Sequence, residues 1–294
     1  MLLARGDVSL GKGSLRWTVG LGPRLWCSAY TQRGLVVDTR LIAPTSEPPR
    51  ESACVYVILA GALVSHASHA EARWDSPAAL ILSGEQLDGA HGKRHFTYSA
   101  IGEPLSVVEL NLWTKDLLVQ PQEMPPTVVV DEAILGSVRD LHTSADDVVE
   151  SSIERLLRYF GDRGVISPSA VESMLRPSST TASLLWRAFR PMAERLYLTP
   201  TLQEVGDLTG LSTRMLERYI QEFVGDFGLA GGSWRASTRY LRLRLAAILL
   251  TAEDATVNEV ALRVGYRSPD AMARAFRDAG MLTPSEIQER VRAE

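Results

Sequence analysis

Two triplets of side chains, 56 residues apart, have the types and spacing that suit nucleic-acid chemistry. Arg214, Arg218 and Gln221 stand at i, i+4 and i+7, and Asp270, Arg274 and Arg277 repeat that spacing. On a helix each triplet shares one face. A guanidinium grips phosphate, or the O6/N7 edge of guanine, through two parallel hydrogen bonds, and a carboxamide does the same for adenine. Glu217, between the first two arginines, offers an acceptor for the cytosine amino group or a partner for Arg214 or Arg218. A charged helix face is ordinarily just solvated surface. Here the repetition singles these residues out.

The elements that must carry them also repeat. The stretches TPTLQEVGDLTGLSTRMLERYIQEF and TVNEVALRVGYRSPDAMARAF each open with a capping threonine, Thr201 and Thr256. Short helices over 202–209 and 257–264 follow. Each ends at a glycine, Gly210 or Gly265, where a sharp turn needs positive φ. A second helix then buries Leu216, Ile220 and Phe223 in the first unit, and Met272, Phe276 and Ala279 in the second. Val205, Leu208 and Leu211 are expected to pack on Leu216 and Ile220. Val260, Val264 and Tyr266 are expected on Met272 and Phe276. This is helix–turn–helix spacing, with units at about 201–223 and 257–279. Thr213, Arg267 and Ser268 open the second helices. They complete the candidate DNA-binding set with Arg214, Glu217, Arg218, Gln221, Asp270, Arg274 and Arg277. Between the units, residues 234–252 predict one long helix with Trp234, Leu241, Leu245, Ile248 and Leu249 on its apolar side. Arg235, Arg239 and Arg242 form a basic stripe, read as phosphate neighbours or surface. Such a helix would space two recognition helices about one turn of DNA, roughly 34 Å, apart.

The motifs VNEVALRVGY, Ser268, Arg274-Ala275-Phe276, TPSE at 283–286 and RLRLAAILL at 242–250 resemble those of AraC/XylS-type transcription regulators. The likeness covers about a third of the chain and is most specific in the second unit. It implies a sequence-specific DNA-binding transcription factor with two helix–turn–helix units joined by a linker helix. It further implies a cupin-like sensory domain that takes a small organic effector without metal. A homodimer, RNA polymerase as a further partner and a cytoplasmic location are also expected. Three departures stand out: Ile220 replaces the phenylalanine of the second unit, Gly280 comes one residue early with Met281 after it, and 225–233 is about six residues long beyond the usual.

Residues 1 to about 115 read as β structure, with short apolar runs at 35–42, 55–63, 78–82 and 105–112 broken by Gly, Pro and Asp. Residues 48–64 and 76–84 look like hairpins of a cupin-type barrel. From about 130 the period becomes helical, over 133–141 and 148–160, and the apolar stripe near Ile134–Phe160 is expected to dimerise. The Pro/Ser/Thr stretch at 176–181 breaks that period. The expected fold class is α+β: a cupin-like β-barrel with a helical dimerisation segment (1–175), a linker (176–182), and an all-α DNA-binding domain (183–294).

The formal charge of −4 over 294 residues excludes a uniformly basic coat protein. It averages two unlike parts. Residues 181–294 carry fifteen arginines, no lysine and fourteen acidic residues, net +1, whereas 1–180 are net −5. Cys27 and Cys54 are too few for a disulfide framework or a four-ligand zinc site. The longest apolar stretch, 54–64, is too short to cross a bilayer, and the N-terminus lacks a secretory pattern, so no membrane association is expected. His66 with His69, and His91 with His95, lack the spacing of cupin metal ligands, so no metal and no cofactor are expected. Trp26, Tyr56, Trp74 and Trp113 are either effector-pocket walls or plain core, and no ligand-binding residue is assigned. Asp146-Asp147 and Glu253-Asp254 read as helix-start charge. No nucleophile elbow, Walker loop, dinucleotide fingerprint or metalloprotease helix is present, and the chain is not expected to be an enzyme. Two alternatives remain open at this point: a metal-dependent cupin enzyme with a helical appendage, and an interaction protein whose helix–turn–helix no longer binds DNA.

Overall fold

The computed structural model describes residues 1–42, 51–67, 70–84, 94–99, 104–122, 125–143, 145–195, 198, 200–227 and 234–293. The fold is α+β. Among the described residues, eleven strands form two antiparallel sheets: β1 (Leu2–Leu10), β2 (Gly13–Gly22), β3 (Leu25–Arg33), β4 (Val36–Asp38), β5 (Ser52–Ala60), β6 (Ala62–Ala67), β7 (Ala70–Asp75), β8 (Ala78–Ser83), β9 (Arg94–Ser99), β10 (Leu105–Trp113) and β11 (Thr127–Val128). The larger sheet runs β1-β2-β3-β10-β5-β8-β11 and the smaller β4-β9-β6-β7.

Strand period two assigns the faces. From β5 and β10, Cys54, Tyr56, Ile58, Leu105 and Val107 point inward, where they meet Val37, Leu63 and Phe96 of the smaller sheet. The alternate residues Val55, Val57, Val108, Leu110 and Leu112 point outward. Both faces of the large sheet are covered, which is why β5 reads as an unbroken apolar run. Cys27 and Cys54 lie free on opposite faces of this sheet, each thiol pushed up by burial, Cys27 to about 12. Residues 35–42 are not one strand. After β4 the chain turns into the short helix α1 (Thr39–Ile42), and the Thr39 hydroxyl accepts from the Phe96 amide of β9 at 3.0 Å.

Helices α2 (Glu132–Thr143), α3 (Asp146–Asp162) and α4 (Pro168–Met174) cover the outer face. The stripe Ile134, Val138, Leu141, Val149, Ile153, Leu156, Leu157 and Phe160 is buried against the chain's own sheet. The apolar period that suggested a dimer seam is therefore satisfied internally. His142, in the last turn of α2, sits between the hydroxyls of Thr31 (3.2 Å) and Ser106 (3.1 Å). Burial lowers its pKa to about 4. An unfolded histidine titrates near pH 6.5, so between these values the unfolded chain binds more protons. Stability should fall as pH drops from about 6.5 through 4, by up to about 3 kcal/mol from this group. Urea titrations of wild type and His142→Gln across that range test this, and an equal slope in both proteins would exclude it.

The C-terminal part is helical: α5 (Thr180–Glu194), α6 (Leu202–Thr209), α7 (Thr213–Asp226), α8 (Trp234–Leu249), α9 (Val257–Arg263), α10 (Pro269–Asp278) and α11 (Pro284–Ala293). Ser179 caps α5 by accepting from the Ala182 amide. Leu185, Trp186 and Phe189 of α5 then pack on Leu2, Ala4, Val19 and Leu21 of β1 and β2. Among the described residues no helix is long and apolar enough to cross a membrane.

Candidate nucleic-acid interface

Each helix–turn–helix unit begins with a reciprocal cap. The Thr201 and Thr256 side chains accept from the amides of Glu204 and Glu259, whose carboxylates accept in return from the threonine amides. Those hydrogen bonds hold both carboxyls below the ordinary glutamate range. Gly210 (φ 68°) and Gly265 (φ 82°) then make the left-handed turns that residues with a Cβ resist. In the second unit Val260, Val264, Met272 and Phe276 are buried together, with Tyr266 and Ala279 packed against them. In the first, Val205, Leu216, Ile220, Phe223 and Val224 are buried, with Leu211 packed alongside. Leu208 departs from the expected packing. It is 68% exposed, because α6 turns that side away from α7.

Thr213, Arg214, Glu217, Arg218 and Gln221 of α7 are exposed. So are Arg267, Asp270, Arg274 and Arg277 at α10, while Ser268 is half-buried. Ser268 has a local task, accepting from the Ala271 amide as the cap of α10 at 3.2 Å. Arg218 lies over the Tyr219 ring and 3.8 Å from Glu222. These exposed pairings are weak enough for a phosphate to displace. Among the described residues, Arg214, Glu217, Arg274 and Arg277 have no pairing that would hold them away from a ligand approaching the face. The two exposed faces thus repeat as the spacing predicts.

The basic stripe of the long helix does not survive intact. Arg239 donates to the Ala275 carbonyl (3.0 Å) and faces Asp278 at 3.7 Å, tying α8 to α10. Arg242 donates to the Leu198 carbonyl (2.9 Å), and burial lowers its pKa. Arg235 is exposed, and the side chain of Trp234 lies outside the described residues. The helix ends at Leu249 rather than 252, and of residues 243–250 all but Arg244 are buried. Glu253 and Asp254 do not start a helix. They hold the β1–β2 turn, Glu253 bonded to the Lys12 ammonium and Asp254 to the Lys12 amide, each at 2.9 Å. Of the early-named departures, Gly280 (φ 69°) closes α10 and Met281 is buried behind it, whereas most of 225–233 lies outside the described residues.

In the β part, His66 bonds the Thr97 hydroxyl at 2.8 Å, while His69, His91 and the His95 side chain lie outside the described residues. Among the described residues no group of three or more potential ligands converges on a metal site. Tyr56 belongs to the inner core and the half-buried Trp74 packs against it, the Trp26 indole donates to Ser28, and Trp113 carries Lys115 over its ring.

Sequence reasoning passed over Arg244, which points into the sandwich. It lies 3.5 Å from the Glu109 carboxylate, whose same oxygen accepts from the Tyr30 hydroxyl at 2.9 Å. Burial works against the Arg244 cation, but Glu109, then Tyr240, Tyr56 and Tyr30, raise its pKa above that of free arginine. The sequence carries no separate signal for it, because Arg235, Arg239 and Arg242 share its helix.

Residues 206–290 match the family described as "Helix-turn-helix domain", and this C-terminal part is a helix–turn–helix domain of the AraC type. The chain is also similar to the HTH-type transcriptional regulator RipA of Corynebacterium glutamicum, with 34% identity over 156 residues. That match spans 52% of this chain and 45% of the relative, a little under half its length. Among solved structures, ToxT of Vibrio cholerae superposes with a TM-score of 0.38 at 8% identity, covering 96% of this chain and 98% of that one. A DNA-binding transcriptional dual regulator of Escherichia coli K-12 superposes with a TM-score of 0.31 at 22% identity, covering 41% and 97%. The domain match, and not these superpositions, bears on function.

Proposed function

We propose that the chain is a sequence-specific DNA-binding transcription regulator, with residues 183–294 contacting two adjacent major-groove segments. The carrying observation is the repetition: two capped helix–turn–helix units whose second helices expose matching positions 56 residues apart. The regulator description of the similar C. glutamicum protein agrees with this reading. Residues 1–175 form the sensing part, joined through 176–182 and controlled by a small organic effector, as the family resemblance implies. An effector acts here by differing in affinity for two placements of the DNA-binding units. Arg214, Arg218, Gln221, Arg274 and Arg277 carry the contacts, with Thr213, Glu217, Arg267 and Asp270 at their edges and Ser268 capping α10.

Fluorescence anisotropy with fragments of the chain's own genomic neighbourhood, over a salt series, tests the reading. Arg→Ala at a phosphate contact should weaken all duplexes alike and reduce the salt slope by about 1. At a base contact it should cost about 1–3 kcal/mol and relax preference at one position. Absence of binding to any duplex at low salt would exclude DNA binding.

A further inference from the structure

The two recognition helices are not held alike. The units are joined to each other within the helical part, where α8 contacts α7 and Arg242 bonds the Leu198 carbonyl. Toward the end of α10, Arg239 of the same linker helix donates to the Ala275 carbonyl. That recognition helix also closes on itself. Gly280 (φ 69°) turns left-handed, its amide donates to the Arg277 carbonyl at 2.9 Å, and the Met281 amide donates to Phe276 at 3.0 Å. At the offset of 56 residues the counterpart of Gly280 is Val224, whose Cβ resists such a turn. Helix α7 accordingly runs fourteen residues against ten and continues to Asp226. The added turn buries Phe223 and Val224, with Phe227 behind it, in the cluster that includes β1 and β2.

That turn also takes a hydrogen bond from the β part. The carbonyl of Asp226, the last residue of α7, accepts from the Arg24 amide in the β2–β3 turn at 2.8 Å. Among the described residues, Arg24 (φ 61°) is the one residue other than glycine with positive φ. Pro23 fills the first position of this two-residue turn, and the second is one that such turns give to glycine. A residue with a Cβ persists there only where its surroundings hold it. Here they hold it on two sides. The Arg24 guanidinium pairs with Asp116, a buried carboxylate shortly after β10. The turn also lies against the end of α4, where a Cβ on Gly22 would come within 2.7 Å of the Met174 carbonyl. Asp116 is itself fixed, its carbonyl accepting at 2.8 Å from the amide of Ser167, the cap of α4.

We propose that Arg24 is a positioning residue for the first recognition helix, the point at which the sensing part grips α7 by its added turn. The proposal rests on the DNA-binding reading above and adds which recognition helix the sensing part holds directly. The anchor is strained and its pairing incomplete, because the second carboxylate oxygen of Asp116 is buried without a hydrogen-bond partner. A small rearrangement at Asp116 therefore frees the turn, and the end of α7 with it. Bidentate base contacts depend on orientation, so a tilt of α7 changes what Arg214, Arg218 and Gln221 can reach. Arg274 and Arg277, on α10, keep their reading. The half-site of the first unit is thus the adjustable one.

Selection from a random duplex pool, affinity for the selected duplex and hydrogen–deuterium exchange, all on the full chain, test this. Wild type should select two half-sites. Arg24→Gly keeps a left-handed turn and its amide but removes the anchor, whereas Asp116→Asn keeps the shape and removes the charge. In each, exchange at 222–227 should rise about tenfold. The selected duplex should bind about tenfold more weakly, roughly the worth of one bidentate base contact. Preference should flatten at the first unit's half-site and stay as in wild type at the other. Arg24→Lys, which keeps a cation beside Asp116, should retain most of the affinity and preference. Arg218→Ala and Arg274→Ala identify the half-sites and complete two cycles. Arg24→Gly should add little to the loss from Arg218→Ala, yet should multiply the loss from Arg274→Ala. General destabilisation would instead weaken both half-sites alike. Equal flattening of both, losses that multiply in both cycles, or unchanged exchange at 222–227 would overturn the proposal. If Arg24→Gly does not fold, Asp116→Asn takes its place in the cycles. Selection of no duplex by wild type would instead overturn the regulator reading itself.

Discussion

Replacing Arg244 by Met should cost about 3 kcal/mol of stability, while Glu109→Gln should cost only about 1. The asymmetry follows from where the two charges sit. The Glu109 side chain is 5% exposed and the Arg244 side chain 30%. Without Arg244, a carboxylate stays in the interior with the Tyr30 hydroxyl as its remaining strong donor. Desolvation of an uncompensated charge then dominates. Without the Glu109 charge, the guanidinium can lean toward water along the rim and the loss is largely that of one charged hydrogen bond. Removing both charges, as Arg244→Met with Glu109→Leu, should recover most of the stability, because a packed apolar pair needs no desolvation. Urea unfolding of the three variants measures all of this. Equal single costs, or a double variant whose loss is the sum of the two, would show that the groups do not act as a pair.

That pair also marks a limit on what the chain's pattern reveals. The helix–turn–helix units were readable because their signals are local. Capping threonines, turn glycines and apolar residues at helical spacing lie within about twenty positions of one another, and α6 begins and ends where the spacing put it. The exposed faces of α7 and α10 followed from the same arithmetic. Contacts between distant parts of the chain were not readable in this way. Arg242 and Arg244 differ by two positions on one helix, yet one bonds Leu198 within the helical part and the other reaches Glu109 of β10. Nothing in their spacing separates a basic stripe from two structural arginines. The stripe of α2 and α3 misled for a related reason. An apolar face signals that something covers it, but not whether the cover is a second copy or the chain's own sheet. Glu253 and Asp254 likewise looked like helix-start charge until the β1–β2 turn, more than 240 residues earlier, proved to be their partner.

The largest single losses should come from Phe223→Ala and Phe276→Ala, each about 3–5 kcal/mol. Phe276 is fully buried and Phe223 is 2% exposed, so each truncation leaves a cavity that rigid neighbours close only in part. The two are not equivalent by sequence position. The first-unit counterpart of Phe276 is Ile220, and Phe223 lies one turn further along α7, stacked with Trp186 of α5. Phe223 therefore joins its unit to α5 and through it to β1, whereas Phe276 joins α10 to α8 and α9. In the double variant the losses should add to within about 0.5 kcal/mol, as expected for sites without shared neighbours. Trp17→Ala supplies the contrast, because its indole packs against both clusters. Combined with either phenylalanine variant, it should show a coupling of about 0.5–3 kcal/mol. If instead Phe223 and Phe276 couple to each other as strongly as either does to Trp17, the two units share a core.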